Sequence, residues 1–270
     1  MSQIAGRTAL VTGGGRGIGR AVAVGLAGLG VRTAVLARTA PEVDASLALI
    51  HAAGGDCWGI TADVSDLEQV RAVFRQLGRV DILVNNAAVS WPVGRTAEAE
   101  PDTWLKAFSI NLGGAFSTIS MALPGMIARG WGRIVNVTSG AGSPPGLLRA
   151  SAYSASKAAL NQLTLNLAAE LAEDRTAGVT VCAVDPGTVD TRMQHYMHGL
   201  PAETLGPSSA EEFRRVHANG LLQAPREPAQ LVTGAVVGAV TGEILVMGTA
   251  RAHAVISELS RLQSPESRSS

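Results

Sequence analysis

With 270 residues, 22 basic against 22 acidic and no net charge, the chain lacks the basic surface that nucleic acid or an anionic membrane would require. Hydrophobic residues make up 46% and aromatics only 4%, so the core must be built from Ala, Val, Leu and Ile, as suits a parallel sheet with helices on both faces. Cys57 and Cys182 lie in strand-like runs and read as small buried hydrophobes, which argues against a disulfide and against a metal site.

The N-terminal residues lack a signal-peptide layout and no run approaches transmembrane length, so a cytoplasmic protein is expected. Thr8 to Val11 is a short apolar strand. It runs into Thr12-Gly13-Gly14-Gly15-Arg16-Gly17-Ile18-Gly19, then a helical stretch from Ile18 to about Leu29, then a second strand from Thr33 to Leu36. Strand, glycine turn, helix and strand make the first half of a dinucleotide fold. Glycines let the backbone approach a pyrophosphate, whose charge sits at the positive end of the helix.

The second strand ends in Ala37-Arg38, with no acid at its tip to accept from ribose hydroxyls. Arg38, with Arg16 in the glycine turn, offers two guanidinium groups to a 2′-phosphate, so NADPH is expected in preference to NADH. A helix over Pro41–Ala53 and a strand over Asp56–Thr61 follow. Asp63, with Val64 beside it, is read either as a contact to the adenine amino group or as the cap of a helix from Asp66 to Leu77. Val80 to Val84 is a strand ending in Asn85-Asn86-Ala87-Ala88, where Asn side chains can tie neighbouring loops together.

A long helical run from Pro101 to Arg129 contains Asn111 followed by Gly113 and Gly114, poor helix material that predicts a local irregularity. Gly132 to Val137 is a strand with Ser139 just past its C-terminal tip, the side where ligands bind in open parallel sheets. Ala and Leu dominate the segment after Tyr153-Ser154-Ala155-Ser156-Lys157, which predicts a helix with Tyr153 and Lys157 in its first turns. Four residues apart, they share one face, and an ammonium there favours the phenolate and lowers the phenol pKa from about 10. Gly178 to Val184 is another strand, leading to Asp185-Pro186-Gly187-Thr188-Val189-Asp190-Thr191. Periodicity fades from Arg192 to Pro225, with short helices expected within 203–218, so residues 188–226 read as a substrate lid. A helix over Pro228–Val240 and a strand over Glu243–Met247 close a single domain, and residues 261–270 read as a frayed tail. His195 and His198 lack a nearby acid or thiol pair and are taken as lid residues, with no metal expected.

In this order the motifs identify the chain as resembling the short-chain dehydrogenase/reductase family, over residues 5 to 250. They are the glycine turn at 12–19, Ala62-Asp63-Val64, the NNAA at 85–88, Asn111, Ser139, Tyr153 with Lys157, and Pro186-Gly187 with Thr191. The resemblance implies a Rossmann-type doubly wound parallel α/β sheet of about seven strands, and hydride transfer between a nicotinamide and a carbonyl or alcohol; with Arg16 and Arg38, NADPH-dependent reduction of a ketone is the leading expectation. It implies that Tyr153 donates a proton to the carbonyl oxygen and that Ser139 orients that oxygen. Lys157 would lower the phenol pKa and grip the nicotinamide ribose, and Asn111 would hold a relay water. Gly13, Gly15, Arg16, Gly17, Ile18, Gly19, Arg38, Asp63, Val64, Asn86, Ala87, Ala88, Pro186, Gly187, Val189 and Thr191 carry over as cofactor contacts, with Tyr153 and Lys157.

The family usually has Gly where this chain has Ala88, which would be strained if that position needs a positive φ. Trp91 within Val89–Val93, Pro144–Arg149 and Met193–Leu205 are expected to line a mostly apolar substrate pocket, with Arg149 either meeting an anionic group or standing in solvent. A homo-oligomer, dimer or tetramer, is implied by analogy. Two other functions remain open at this point: an NAD-linked alcohol dehydrogenase working oxidatively, and a nucleotide-sensing protein without turnover.

Overall fold

Seven short apolar runs become seven strands of one sheet, all parallel, in the order β3-β2-β1-β4-β5-β6-β7. The computed structural model describes residues 4–176 and 178–263. The strands are β1 (Thr8–Thr12), β2 (Arg32–Ala37), β3 (Cys57–Thr61), β4 (Ile82–Asn85), β5 (Gly132–Val137), β6 (Val179–Asp185) and β7 (Ile244–Val246). Helices α1 (Gly17–Ala27), α2 (Ala40–Ala52) and α3 (Leu67–Leu77) connect the first four strands. Further on come α4 (Pro101–Phe108), α5 (Gly114–Ala128) and α6 (Ser151–Glu173). Between β6 and β7 lie α7 (Arg192–His198), α8 (Ala202–Leu205), α9 (Pro207–Ala218) and α10 (Arg226–Val237), and α11 (Ala250–Gln263) follows β7.

Strand residues alternate between two apolar layers, which is why the central strands read as unbroken hydrophobic runs. Ala9, Val11, Val84, Val135 and Val184 face α1, α10 and α11 through Val22, Leu26, Leu231, Val232 and Val255. Leu10, Leu36, Leu83, Ile134 and Val181 face the other way, against Ile119, Met126, Leu167 and Leu171 of α5 and α6. The strand order reverses between β1 and β4, and that switch point opens the crevice in which such sheets bind ligands.

Several expectations shift. Asp66, not Asp63, caps α3, accepting from Glu68 N at 3.0 Å and Gln69 N at 3.1 Å. The expected single helix over 101–129 is α4 and α5 joined by a π-helical turn, Ser109–Gly113, which absorbs Asn111 and Gly113 in a wider i→i+5 loop. By length and composition, Pro101–Ala128 does have the reach and apolarity of a membrane span, contrary to the reading above. It is used as a core helix instead, with Ile110, Ile119, Ala122 and Met126 buried against the sheet.

The stretch after Arg192, expected to be irregular, holds α7 as well as the short helices α8 and α9. Thr191 caps α7, its Oγ1 accepting from Gln194 N. Arg261 to Gln263 continue α11 in place of a frayed tail; residues 264–270 of that predicted tail lie outside the described residues. Cys57 on β3 and Cys182 on β6 are free, buried and separated by four intervening strands, a spacing of roughly 24 Å that no disulfide spans.

Candidate active site

The glycine turn is built for close approach. Gly13 and Gly17 hold φ of 63° and 53°, open to glycine and costly for other residues. A Cβ on Gly13 would stand 2.9 Å from Ala87 Cα, and one on Gly19 would collide with Gly13 O and the Asn86 amide. Behind the turn, Asn86 Nδ2 donates to Thr12 O at 3.1 Å and Gly13 O at 3.2 Å, while Thr12 Oγ1 accepts from Asn86 N and Ala87 N. Asn86 thereby ties the end of β4 to the end of β1, as the strand-end asparagines suggested. Arg20 and Ser46 hold the carbonyls of Gly15 and Gly14 from the far side. These bonds fix the turn before any ligand arrives.

The turn forms one wall of a cavity of about 1220 Å³ that runs along the C-terminal ends of the strands. Every predicted cofactor contact lines it except Gly19, which packs behind the turn. A long cavity, a bare-backbone turn at the start of a helix and flanking guanidinium groups fit a dinucleotide. Ala88 is not among the described residues with positive φ, so the expected strain there does not arise.

Asp63 lies at the same end, its Oδ1 accepting from Ser65 N at 2.9 Å and Ser65 Oγ at 2.7 Å. Burial pushes its pKa up, but the Ser65 bonds and the charges of Arg38 and Lys106 outweigh that and hold the carboxyl below its usual value. The tip of β2 is less free of acids than the sequence suggested. Arg38 Nη1 lies 4.0 Å from Asp63, and Arg16 Nη1 lies 3.0 Å from Glu42 of α2.

At the other end of the cavity, Tyr153 and Lys157 project from the first two turns of α6. Tyr153 is 8% exposed and Lys157 3%. The Ser139 side chain is the polar neighbour that acts on the Tyr153 hydroxyl, and Ser139 Oγ accepts from Ala141 N at 3.2 Å. Lys157 Nζ donates to Val137 O at 2.7 Å and stands 5.8 Å from the centre of the Tyr153 ring.

The expected lowering of the phenol pKa by Lys157 is absent. Burial pushes the Tyr153 hydroxyl up, opposed by the Ser139 side chain and reinforced by the Asp185 carboxylate. Burial lowers Lys157 to about 8, with Asp185 pulling the other way. For Lys157 desolvation outweighs the Asp185 charge, whereas for Tyr153 desolvation and the Asp185 charge act in the same direction.

Asn111 stands one layer behind, 1% exposed and outside the cavity wall. Its Oδ1 accepts from Val89 N at 2.8 Å, and its Nδ2 donates to Val89 O at 2.9 Å and Ser156 Oγ at 3.0 Å. With both amide hydrogens and the oxygen engaged, the side chain pins α6 and the 89–90 loop to the π turn. A relay water would have to use a main-chain carbonyl.

Of the expected substrate-pocket segments, Val89, Ser90, Leu147, Leu148, Met193 and Met197 line the cavity; Trp91, Pro144 and Arg149 do not. Trp91 is packed on the second core layer. Arg149 neither meets the pocket nor stands free: its guanidinium donates to the carbonyls of Glu203 and Thr204 at the end of α8. His195 Nε2 lies 2.7 Å from Asp190 Oδ1, and His198 stacks on His217 with ring centres 3.8 Å apart.

Sequence reasoning missed four contributors: Asp185, Glu42, Arg192 and the α9 wall formed by Phe213 and Val216. Asp185 alone carried a signal, as an acid ending an otherwise apolar strand.

The short chain dehydrogenase family profile matches residues 7–199. The chain belongs to the short-chain dehydrogenase family. It is similar to a rhamnolipid-biosynthesis 3-oxoacyl-(acyl-carrier-protein) reductase of Pseudomonas aeruginosa, 40% identical over 207 residues that cover 73% of this chain and 78% of that one. A 3-oxoacyl-(acyl-carrier-protein) reductase of Synechocystis sp. is 34% identical over 206 residues, 74% of this chain and 81% of the relative. Among solved structures, an actinorhodin polyketide ketoreductase with NADPH superposes with a TM-score of 0.80 at 36% identity, covering 92% of this chain and 97% of the other. This short-chain dehydrogenase is accordingly an NAD(P)-dependent oxidoreductase.

Proposed function

We propose that the protein reduces a ketone to a secondary alcohol with NADPH, Tyr153 giving the proton. What supports the reading is Ser139 beside Tyr153, with Lys157 one turn further on, all lining the cavity that the glycine turn also lines. The bound reduced nicotinamide would supply the hydride to the carbonyl carbon. As that carbon gains the pair, its oxygen becomes an alkoxide. Tyr153 Oη passes its proton to that oxygen, and Ser139 Oγ donates a hydrogen bond to it.

The raised phenol pKa suits this direction, because the proton is in place at neutral pH. Lys157, cationic below about pH 8, would stand on the cofactor side and support the phenolate left behind. Gly13, Gly15 and Gly17 would face the pyrophosphate, Arg16 and Arg38 the 2′-phosphate, Asp63 and Val64 the adenine, and Pro186, Gly187, Val189 and Thr191 the nicotinamide amide. Asn111 acts by positioning α6.

Leu147, Leu148, Met193, Met197, Phe213 and Val216 make the substrate end apolar. With the reductase names of its relatives, that favours an oxoacyl or polyketide-like ketone. A product-detected screen of such ketones with NADPH tests this: turnover of at least one is expected, and a chain that binds NADPH but reduces none would sink the reading. A second reading, preference for NADH or NAD+, draws on the acid partners of Arg16 and Arg38. Arg38→Asp is expected to weaken NADPH binding by about ten-fold or more while sparing NADH, since it sets a carboxylate against the 2′-phosphate. A smaller dissociation constant for NADH than for NADPH in the wild type would favour the second reading.

The same proposal takes the chain as one domain, residues 188–226 as its lid, and the cytoplasm as its location. It also takes the protein as a homo-oligomer, dimer or tetramer. Leu105 and Phe116, 58% and 55% exposed on the apolar α4–α5 run, supply a face for a second copy. Light scattering at a mass of one chain would refute that part.

A further inference from the structure

A bridge of charge crosses the mouth of the cavity above the glycine turn. Glu42 stands in the first turn of α2, close enough that a methyl on Gly15 would lie 3.0 Å from Glu42 Cβ. One carboxylate oxygen, Oε1, holds two guanidinium groups at once: Arg16 Nη1 at 3.0 Å and Arg192 Nη2 at 2.9 Å. Arg16 belongs to the glycine turn and Arg192 is the first residue of α7, so Glu42 joins three elements through a single atom. All three side chains line the cavity, and the acid is the shielded member, with 21% of its side chain exposed against 45% and 68% for the arginines.

Sharing one oxygen denies each arginine the bidentate geometry that makes such pairs strong. A phosphate near Arg16 changes the competition. It carries more charge and more acceptors than a carboxylate, so it takes Arg16, and its like charge repels Glu42. Glu42 is then left with Arg192 alone and can offer it both oxygens. Arg192 opens the helix whose Met193 and Met197 line the apolar end of the cavity.

We propose that Glu42 and Arg192 are specificity-determining positioning residues that couple recognition of the cofactor's 2′-phosphate to closure of the 188–226 segment over the substrate. The inference rests on the NADPH reading above. It adds that the 2′-phosphate, remote from the reacting carbon, tightens the lid as well as the cofactor. The differential contact required of any such coupling is the Glu42–Arg192 pair, shared before and undivided after.

Adenosine 2′,5′-bisphosphate and adenosine 5′-monophosphate differ by that phosphate alone, and neither carries a nicotinamide to touch Thr191. Hydrogen–deuterium exchange of amides 192–218 is read for the full chain saturated with each. In the wild type the bisphosphate is expected to slow exchange there about five-fold more than the monophosphate. In Glu42→Gln and in Arg192→Gln that difference is expected to vanish although the bisphosphate still binds, and Arg192→Lys should restore part of it.

Bisphosphate that binds more tightly than monophosphate, with equal protection of 192–218 by both, overturns the coupling and leaves the NADPH reading standing. Bisphosphate that binds no more tightly than monophosphate overturns both. A difference that persists in Glu42→Gln and Arg192→Gln assigns the coupling elsewhere and overturns this one.

Discussion

Replacing Tyr153 with Phe is expected to lower kcat for ketone reduction by about 10²–10⁴-fold, the range for a positioned proton donor, while the NADPH dissociation constant stays within about two-fold. The substitution removes one oxygen from a side chain that is 8% exposed, so the ring still fills its place on α6. The lost atom is the one on which Ser139 acts. Ser139→Ala should cost less, about 10²-fold, because it removes a donor to the developing alkoxide and leaves the proton source. Steady-state kinetics with cofactor titration by fluorescence read both quantities. Unchanged turnover in Tyr153→Phe would refute the assigned proton donor.

The second large effect belongs to Lys157, and it has a pH signature in both activity and stability. Lys157→Met should lower kcat/KM about 10²-fold or more, since the cation that supports the phenolate is gone. In the wild type, kcat/KM for reduction should be flat through neutrality and fall above about pH 8, where Lys157 loses its proton. Oxidation of the product alcohol should instead gain rate as pH rises, because it needs the phenolate that burial disfavours.

Folding stability moves with the same proton. The folded-state pKa of Lys157 is below its unfolded value of 10.5, so between about pH 8 and 10 the unfolded chain binds more protons than the folded one. Stability therefore rises with pH across that window, by up to about 1.4 kcal/mol per pH unit from this group. Denaturant titration at pH 7.5 and 9.5 should show the rise in the wild type and its loss in Lys157→Met. A slope unaltered by the substitution would mean that another group carries it.

Much of this site was legible because its backbone demands are local. Gly13 and Gly17 must adopt positive φ, and Tyr153 and Lys157 are one turn apart on a helix that Ala and Leu announce. The sheet was legible for the same reason: central strands buried on both faces cannot help reading as apolar runs. What could not be read were consequences of desolvation and of contacts far apart in sequence. That Tyr153 keeps its proton despite a lysine four residues on depends on how deeply both are buried.

Glu42 meets Arg192 across 150 positions, and nothing near either residue announces it. The polar chain inside the fold is a similar case. Thr118 Oγ1 donates to Asn85 Oδ1 at 2.6 Å, Asn85 Nδ2 to Asn136 Oδ1 at 3.0 Å, and Asn136 Nδ2 to Thr164 Oγ1 at 2.9 Å. It links α5, β4, β5 and α6 through residues that are unremarkable one at a time. The helix α7 was missed because its apolar set, Met193, Tyr196 and Met197, spans barely more than one turn; its start is set by the Thr191 cap.

The π turn at Ser109–Gly113 fixes a count as well as a shape. An i→i+5 turn takes up one residue more than the α-helix would, so α4 enters rotated by about 100° relative to an uninterrupted continuation of α5. That rotation aims Trp104 at α6, where its indole Nε1 donates to Ser151 Oγ at 3.0 Å, two residues before Tyr153. A one-residue deletion within 109–113 would swing the indole off its partner and uncouple α4 from the start of α6.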